Sequence, residues 1–206
     1  MHPNPVFRKA SDTTAFKIAR QRGFGILSVN GPDGPLAAHV PFTISPDETY
    51  IEAHVMRSNP IARALKTPQP ALLAVSGPDG YISPDWYGVE DQVPTWNYIA
   101  IHLRGQLSLL PQDDLGGVIE RLSDEFEGRL APKTVWKIDK VEAEHREKMM
   151  RMIVPLRLDI TAIGSTRKLG QNKPDTARNG AADGLATSDI GSELSALAQM
   201  MREALE

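Results

Sequence analysis

The chain has 206 residues, 41% hydrophobic and 24% charged, with a formal net charge of −3. That balance excludes a strongly basic nucleic-acid binder and gives no electrostatic pull towards an anionic membrane. Cysteine is absent, which rules out disulfides, a thiol nucleophile and Cys-ligated zinc or iron–sulfur centres. No apolar run reaches the length of a membrane span, and MHPNPVFRKA lacks the apolar stretch of a secretion signal, so a cytoplasmic location without membrane contact is expected.

Ser11-Asp12 ahead of TTAFKIARQR predicts a helix start and Gly23 its stop, with Phe16, Ile18 and Ala19 on the apolar side. Phe24 to Val29 and Leu36 to Ile44 predict a hairpin joined by GPDG at 31–34, where proline presets φ and glycine takes an awkward one. Thr49 to Val55 predicts a third strand. Ser58 or Asn59, followed by Pro60, predicts a short helix that Pro68 and Pro70 end. GPDG recurs at 77–80 and reads as the same turn again, with Leu72–Val75 and Tyr81–Ser83 as its flanking strands.

Thr95 to Leu110 predicts one long strand, bent or interrupted near Gly105. Pro111 to Asp114 opens a helix: its acids suit the helix dipole, and Leu115, Ile119, Leu122 and Phe126 share a face. The mixed charges of 137–151 predict a solvated helix. Met152 to Ile163 alternates as a last strand, with Pro155 marking an edge or bulge position. Pro174 starts a weak helix, and a Gly/Ala/Ser-rich linker near 180–191 leads to an amphipathic helix, Glu193 to Leu205. Hairpins dominate and strands do not alternate with helices. The pattern predicts a small β-barrel with helical additions.

Three stretches carry polar or aromatic chemistry. In His54-Val-Met-Arg57-Ser58-Asn59-Pro60 a strand ends on a cation beside a helix start, which suits a phosphate; the plain alternative is a capped helix with a solvated arginine. The stretch 80–105 concentrates Trp86, Tyr87, Trp96 and Tyr98 around an irregular segment, with Ser83, Thr95 and Asn97 as polar neighbours. Such rings border a planar ligand or pack as an aromatic minicore under a long loop. Arg167 to Asn172 places two cations and two amides after the last predicted strand, where a solvated loop is the usual reading. No catalytic acid or base stands out beyond His102 and Tyr98, and no histidine spacing marks a metal site.

HVMRSNP at 54–60, GYISPDWY at 80–87, VPTWNYIAIHLRG at 93–105 and KLGQNK at 168–173 resemble the PaiB-like family, described as FMN-binding negative transcriptional regulators, among the pyridoxamine-phosphate-oxidase-like split-barrel flavoproteins. MHPNPVF is similar to the family's opening, with His2 where tyrosine is more usual, and Gly170 stands where serine is more frequent. The resemblance implies a mainly β fold, a six-stranded antiparallel split β-barrel over residues 1–178, with 179–206 as linker and C-terminal helix. It implies a homodimer with FMN at the subunit interface. His54, Arg57, Ser58 and Asn59 would cradle the phosphate, Ser83, Trp86, Tyr87, Trp96, Asn97 and Tyr98 would line the ring system, and Lys168, Gln171 and Asn172 would close the site. Residues 84–94 would form a lid.

Two functional classes follow. One is an FMN-dependent oxidoreductase. The other is a regulatory or interaction module, for which the acidic balance and the lack of a basic recognition helix argue against direct DNA binding. A third option is haem or a deazaflavin in the same groove, with His54 or His102 as the haem ligand.

Overall fold

The computed structural model describes residues 1–204. Its strands are β1 (Phe24–Gly31), β2 (Gly34–Ile44), β3 (Tyr50–Met56), β4 (Gln69–Ile82), β5 (Thr95–Leu109), β6 (Ile153–Lys168) and the short β7 (Gly191–Ser192). The helices are α1 (Asp12–Arg22), α2 (Pro60–Ala64), α3 (Leu115–Gly128), α4 (Ala143–Met152), α5 (Asp175–Ala186) and α6 (Leu194–Arg202). The strands run in the order β1-β2-β3-β6-β5-β4, β1 pairs again with β4 to close the ring of six, and β7 is added to β4. This is the expected antiparallel split barrel, mainly β with helical additions. No helix among the described residues is long and apolar enough to cross a membrane.

Contacts gather the chain into two compact units. The barrel-core unit comprises Ala19–Val75 and His102–Ile163; the terminal unit comprises Met1–Ile18, Ser76–Ile101 and the chain from Gly164 on.

In the barrel-core unit, strand alternation sends Leu27, Val40, Phe42, Ile51, Leu73, Leu107, Leu156 and Leu158 inward, each almost fully buried. Burying each such side chain contributes about 1.5–3 kcal/mol. The first GPDG is a hairpin turn: Gly31 pairs with Gly34, leaving Pro32 and Asp33 as the loop. β5 is not interrupted at Gly105. Glycine is needed there because a Cβ would stand 1.8 Å from the carbonyl oxygen of Asp159 on the neighbouring strand. Pro155 is not at an edge either. It lies near the start of β6, between β3 and β5, opposite His54, and its carbonyl accepts from Leu110 N at 3.0 Å. α4 buries no residue, as the charge pattern of 137–151 predicts.

In the terminal unit, the second GPDG is no turn: residues 69–82 form one continuous strand. Gly77 admits Ile99, whose Cβ would be 2.8 Å from an added methyl, and Gly80 admits Leu185 and Leu194. Pro78, which cannot donate to a ladder, falls between the β1 pairing that ends at Ala74 and the β7 pairing at Asp79 and Gly80. The stretch expected as linker from 180 is helical through Ala186, because its small residues are packing surface. Ala177, Ala181, Ala182 and Leu185 meet Leu197, Ala198 and Met201 of α6 around Ile82, Tyr87, Ile99 and Leu169. Leu205, expected on the face of the last helix, lies outside the described residues.

Candidate functional site

The barrel-core unit carries a cationic depression. Asn59 caps α2, its Oδ1 accepting from Ile61 N at 2.9 Å, with Pro60 in the first turn. Arg57, Ser58, Arg63 and Arg151, flanked by Met56 and Met152, line an open hollow of about 480 Å³ that has no acid in its wall. Arg57 is anchored: Nε donates to Arg151 O at 3.1 Å, and Nη2 donates to Gln112 Oε1 at 2.7 Å and to Ile153 O at 3.4 Å. Arg63 and Arg151 were not singled out in the sequence. Arg63 sits four residues past the cap and was readable as a helical neighbour, but Arg151 joins only through tertiary structure.

His54, on β3, is half-buried. Its Nδ1 is buried with no partner, and burial pulls its pKa below the ordinary imidazole value, so the ring is neutral near pH 7. His102 on β5 is in the same state: half-buried, Nδ1 unpartnered, and its pKa lowered chiefly by burial.

The terminal unit holds a cleft of about 270 Å³. Tyr87, Asn97, Lys168 and Asn172, all expected site residues, line it together with His2, Phe7, Thr95, Gly170 and Lys173. Lys168 donates to the Thr95 hydroxyl and lies 6.0 Å from the Phe7 ring centroid. Burial first, then the neighbouring Lys173, lowers its pKa. Lys173 donates to Gln92 Oε1 and stands 5.3 Å from the Tyr87 ring centroid. Asn97, 1% exposed, is fixed by an Nδ2–H bond to Met201 Sδ at 3.4 Å. Gly170 has φ of 77°, which favours glycine over serine there.

The N-terminal segment completes this wall. His2 N donates to Thr166 Oγ1 at 3.0 Å, its ring meets Phe7 edge-on at 4.6 Å, and its Nδ1 accepts from Asn4 N at 3.1 Å. With Nδ1 occupied as an acceptor, the neutral ring carries its proton on Nε2. Burial, then Lys168, lowers the pKa of His2. The sequence motif MHPNPVF contained His2 and Phe7, but nothing in their spacing tied them to Lys168.

Other expected residues stand elsewhere. Trp86 packs against α5, and Tyr87, though it lines the cleft, is 5% exposed and part of the same helical core, which fits the minicore alternative. Ser83 precedes a short 3₁₀ turn (Pro84–Tyr87) without capping it. Trp96 is 44% exposed and Tyr98 half-buried; neither lines the cleft. Gln171 turns inward as a brace: Oε1 accepts from Leu169 N at 2.8 Å, and Nε2 donates to Arg167 O at 2.6 Å and Val6 O at 3.4 Å. Arg167 and Lys168 are part of β6, not of a solvated loop.

The family model described as "Putative FMN-binding domain" matches residues 1–162. Protease synthase and sporulation protein PAI 2 of Bacillus subtilis is 29% identical over 178 residues, 85% of this chain and 84% of that protein. The structure of the FAD and heme binding protein from Mycobacterium smegmatis is similar with a TM-score of 0.59 at 18% identity, covering 90% of this chain and 82% of that one. The flavocytochrome Anf3 from Azotobacter vinelandii gives 0.58 at 15% identity, covering 81% and 72%. At these identities the two structures are evidence for the fold alone.

Proposed function

The chain belongs to the "Putative FMN-binding domain" family, and from that premise we propose an FMN-dependent oxidoreductase, with the arginine hollow as a candidate for the cofactor's phosphate and, separately, the lysine cleft as a candidate for its ring edge. FMN is the family's cofactor. Lys168 carries the reading: a half-buried ammonium, disfavoured by burial and by Lys173, that forms no ion pair among the described residues. The pyrimidine edge of a flavin, with its two carbonyls and N1, offers this cation acceptors beyond the Thr95 hydroxyl. Asn172 and Lys173 add donors to the same wall.

The hollow of the barrel-core unit suits a phosphate. Three guanidiniums, of which only Arg151 has a carboxylate nearby (Glu147, 3.7 Å), favour a phosphate dianion. The unpartnered Nδ1 of His54, three residues upstream of Arg57, has unused hydrogen-bonding capacity. Bound FMN supplies hydride and single-electron transfer. The chain's share is to grip the phosphate, present donors to the ring edge and hold positive charge there. We also propose a homodimer with the cofactor at the subunit interface and a cytoplasmic location, both following from the family resemblance and the composition.

The similarity to a sporulation protein supports a second reading, a flavin-responsive regulator. With a net charge of −3 it would act through a protein partner rather than by gripping DNA.

An absorbance spectrum of freshly purified protein tests the proposal, followed by heat release of the chromophore. Oxidised-flavin bands and released FMN support it and lead to reductase assays. A colourless protein that takes up no added FMN refutes it. Light scattering tests the dimer: a flavin-loaded monomer of 22.6 kDa excludes a shared site.

A further inference from the structure

The segment from Arg167 to Asn172 is a partition between two cavities. Lys168, Gly170 and Asn172 line the lysine cleft, whereas Arg167, Leu169 and Gln171 line a second cavity of about 350 Å³ in the same unit. Arg167 and Lys168 end β6 and leave on opposite faces, as in any strand; residues 169–172 continue as a bend and turn, with Gly170 at φ 77°. A volume of this size falls in the range of small-molecule sites, roughly 300–1,000 Å³.

Two cations face the second cavity, and neither is matched. Among the described residues Arg167 forms no ion pair, and its Nε is buried without a hydrogen-bond partner. Lys9 forms no ion pair either. Glu203 is the one carboxylate in the wall, and it accepts from Gln199 Nε2 at 2.8 Å. Ser11 and Thr14 add two hydroxyls, 3.1 Å from each other. A guanidinium N–H that has given up water without gaining a partner is costly to the fold unless something else accepts from it.

We propose that this cavity binds a small oxyanion, carboxylate or phosphate, through the Arg167 guanidinium and the Lys9 ammonium, with the Ser11 and Thr14 hydroxyls meeting its remaining oxygens. The four side chains proposed to hold the anion do not line the lysine cleft, although Phe7 lines both cavities and the partition is common to them. The Gln171 brace ties Arg167, Leu169 and Val6 together, so an anion here bears on the strand that carries Lys168.

Calorimetric titration of the full chain with succinate and, separately, inorganic phosphate tests this and identifies the oxyanion class. Phosphate also has a claim on the arginine hollow, so the titrations are repeated on Arg167→Gln, Lys9→Gln and Arg63→Gln. The expected result is saturable binding of at least one probe, weakened about tenfold or more in Arg167→Gln and Lys9→Gln by the loss of a charge-assisted bond, and unchanged in Arg63→Gln. Lys9 is exposed, so its variant keeps the test valid if Arg167→Gln folds poorly. Absence of saturable binding by either probe overturns the proposal. Binding that survives both cavity variants but fails in Arg63→Gln overturns it too, by assigning the anion to the hollow. Neither result depends on whether the protein takes up FMN.

Discussion

The indole of Trp86 lies in a notch that Gly184 leaves open: a Cβ on residue 184 would stand 2.3 Å from Cδ2 and 2.5 Å from Cγ of that ring. One helical turn earlier, a Cβ on Gly180 would stand 2.6 Å from the Trp86 carbonyl oxygen. Neither a packed ring nor a backbone carbonyl can give way cheaply. Gly184→Ala therefore destabilises by about 1–3 kcal/mol through overpacking, although alanine is the better helix former. Gly116 on α3 has nothing within 4 Å of an added Cβ, so Gly116→Ala stabilises by roughly 0.5–1 kcal/mol. Urea unfolding of the two variants separates the effects. Equal stability of Gly184→Ala and wild type would show that α5 does not hold the indole.

In the barrel-core unit, Arg121 of α3 grips Glu52 of β3 with both ends of its fork, Nε to Oε2 at 2.6 Å and Nη2 to Oε1 at 2.8 Å. Glu52 is 7% exposed, so its carboxylate has exchanged water for this one partner. Arg121→Ala leaves the acid buried and unpaired, at a cost of about 1–3 kcal/mol. The pair of Lys137 and Asp124, exposed on both sides, is the comparison, and Lys137→Ala costs about 0–1 kcal/mol. Similar losses in both variants would mean that the Glu52 pair is no more than a surface contact.

Acid lowers stability through the histidines. Burial depresses the folded-state pKa of His54 and of His102 below the ordinary value of about 6.5. Above that value both states are neutral and nothing is lost. As pH falls through it, the unfolded chain takes up the protons first, so unfolding is favoured until the folded pKa values are passed. Melting temperature should fall from pH 7.5 to 5.5, and His54→Gln should flatten part of that slope. A slope unchanged in His54→Gln would show that His54 titrates as freely in the folded protein as in the unfolded chain.

How far the sequence could be read is shown by its two copies of GPDG. Both match turn chemistry, and the copy at 31–34 is a turn because the hairpin strands on either side pair directly with each other. The copy at 77–80 runs straight within β4, since its glycines admit Ile99 on one side and leucines of α5 and α6 on the other. Nothing local distinguishes the two; contacts from residues 20 to more than 100 positions away decide. The same holds at the candidate site. Asn59 as a cap was legible from the order of neighbouring residues, whereas Lys168 was singled out only by the family resemblance, its own neighbourhood reading as a solvated loop. Arg151 beside Arg57, and His2 beside Lys168, were not, because each pair is joined only by folding. Helix α5 read as linker because a glycine-rich helix has poor propensity, and the Trp86 ring that fills its notches lies almost a hundred residues upstream.

The two arginines of the hollow that follow β3 should fail differently when truncated. Arg63 is exposed and its side chain makes no hydrogen bond or ion pair to other described residues, so Arg63→Ala removes a phosphate partner and little else. FMN affinity should drop roughly ten- to a hundredfold, the equivalent of one or two charge-assisted bonds at about 1.4 kcal/mol per decade, with the melting temperature of the cofactor-free protein unchanged. Arg57 also ties β3 to Arg151, Ile153 and Gln112, so Arg57→Ala should lose both cofactor and stability. Fluorescence titration with FMN and thermal melts of the cofactor-free proteins read the two quantities separately. Wild-type FMN affinity in Arg63→Ala and Arg57→Ala alike would remove the phosphate from this hollow and leave the arginines as a solvated, partly structural cluster.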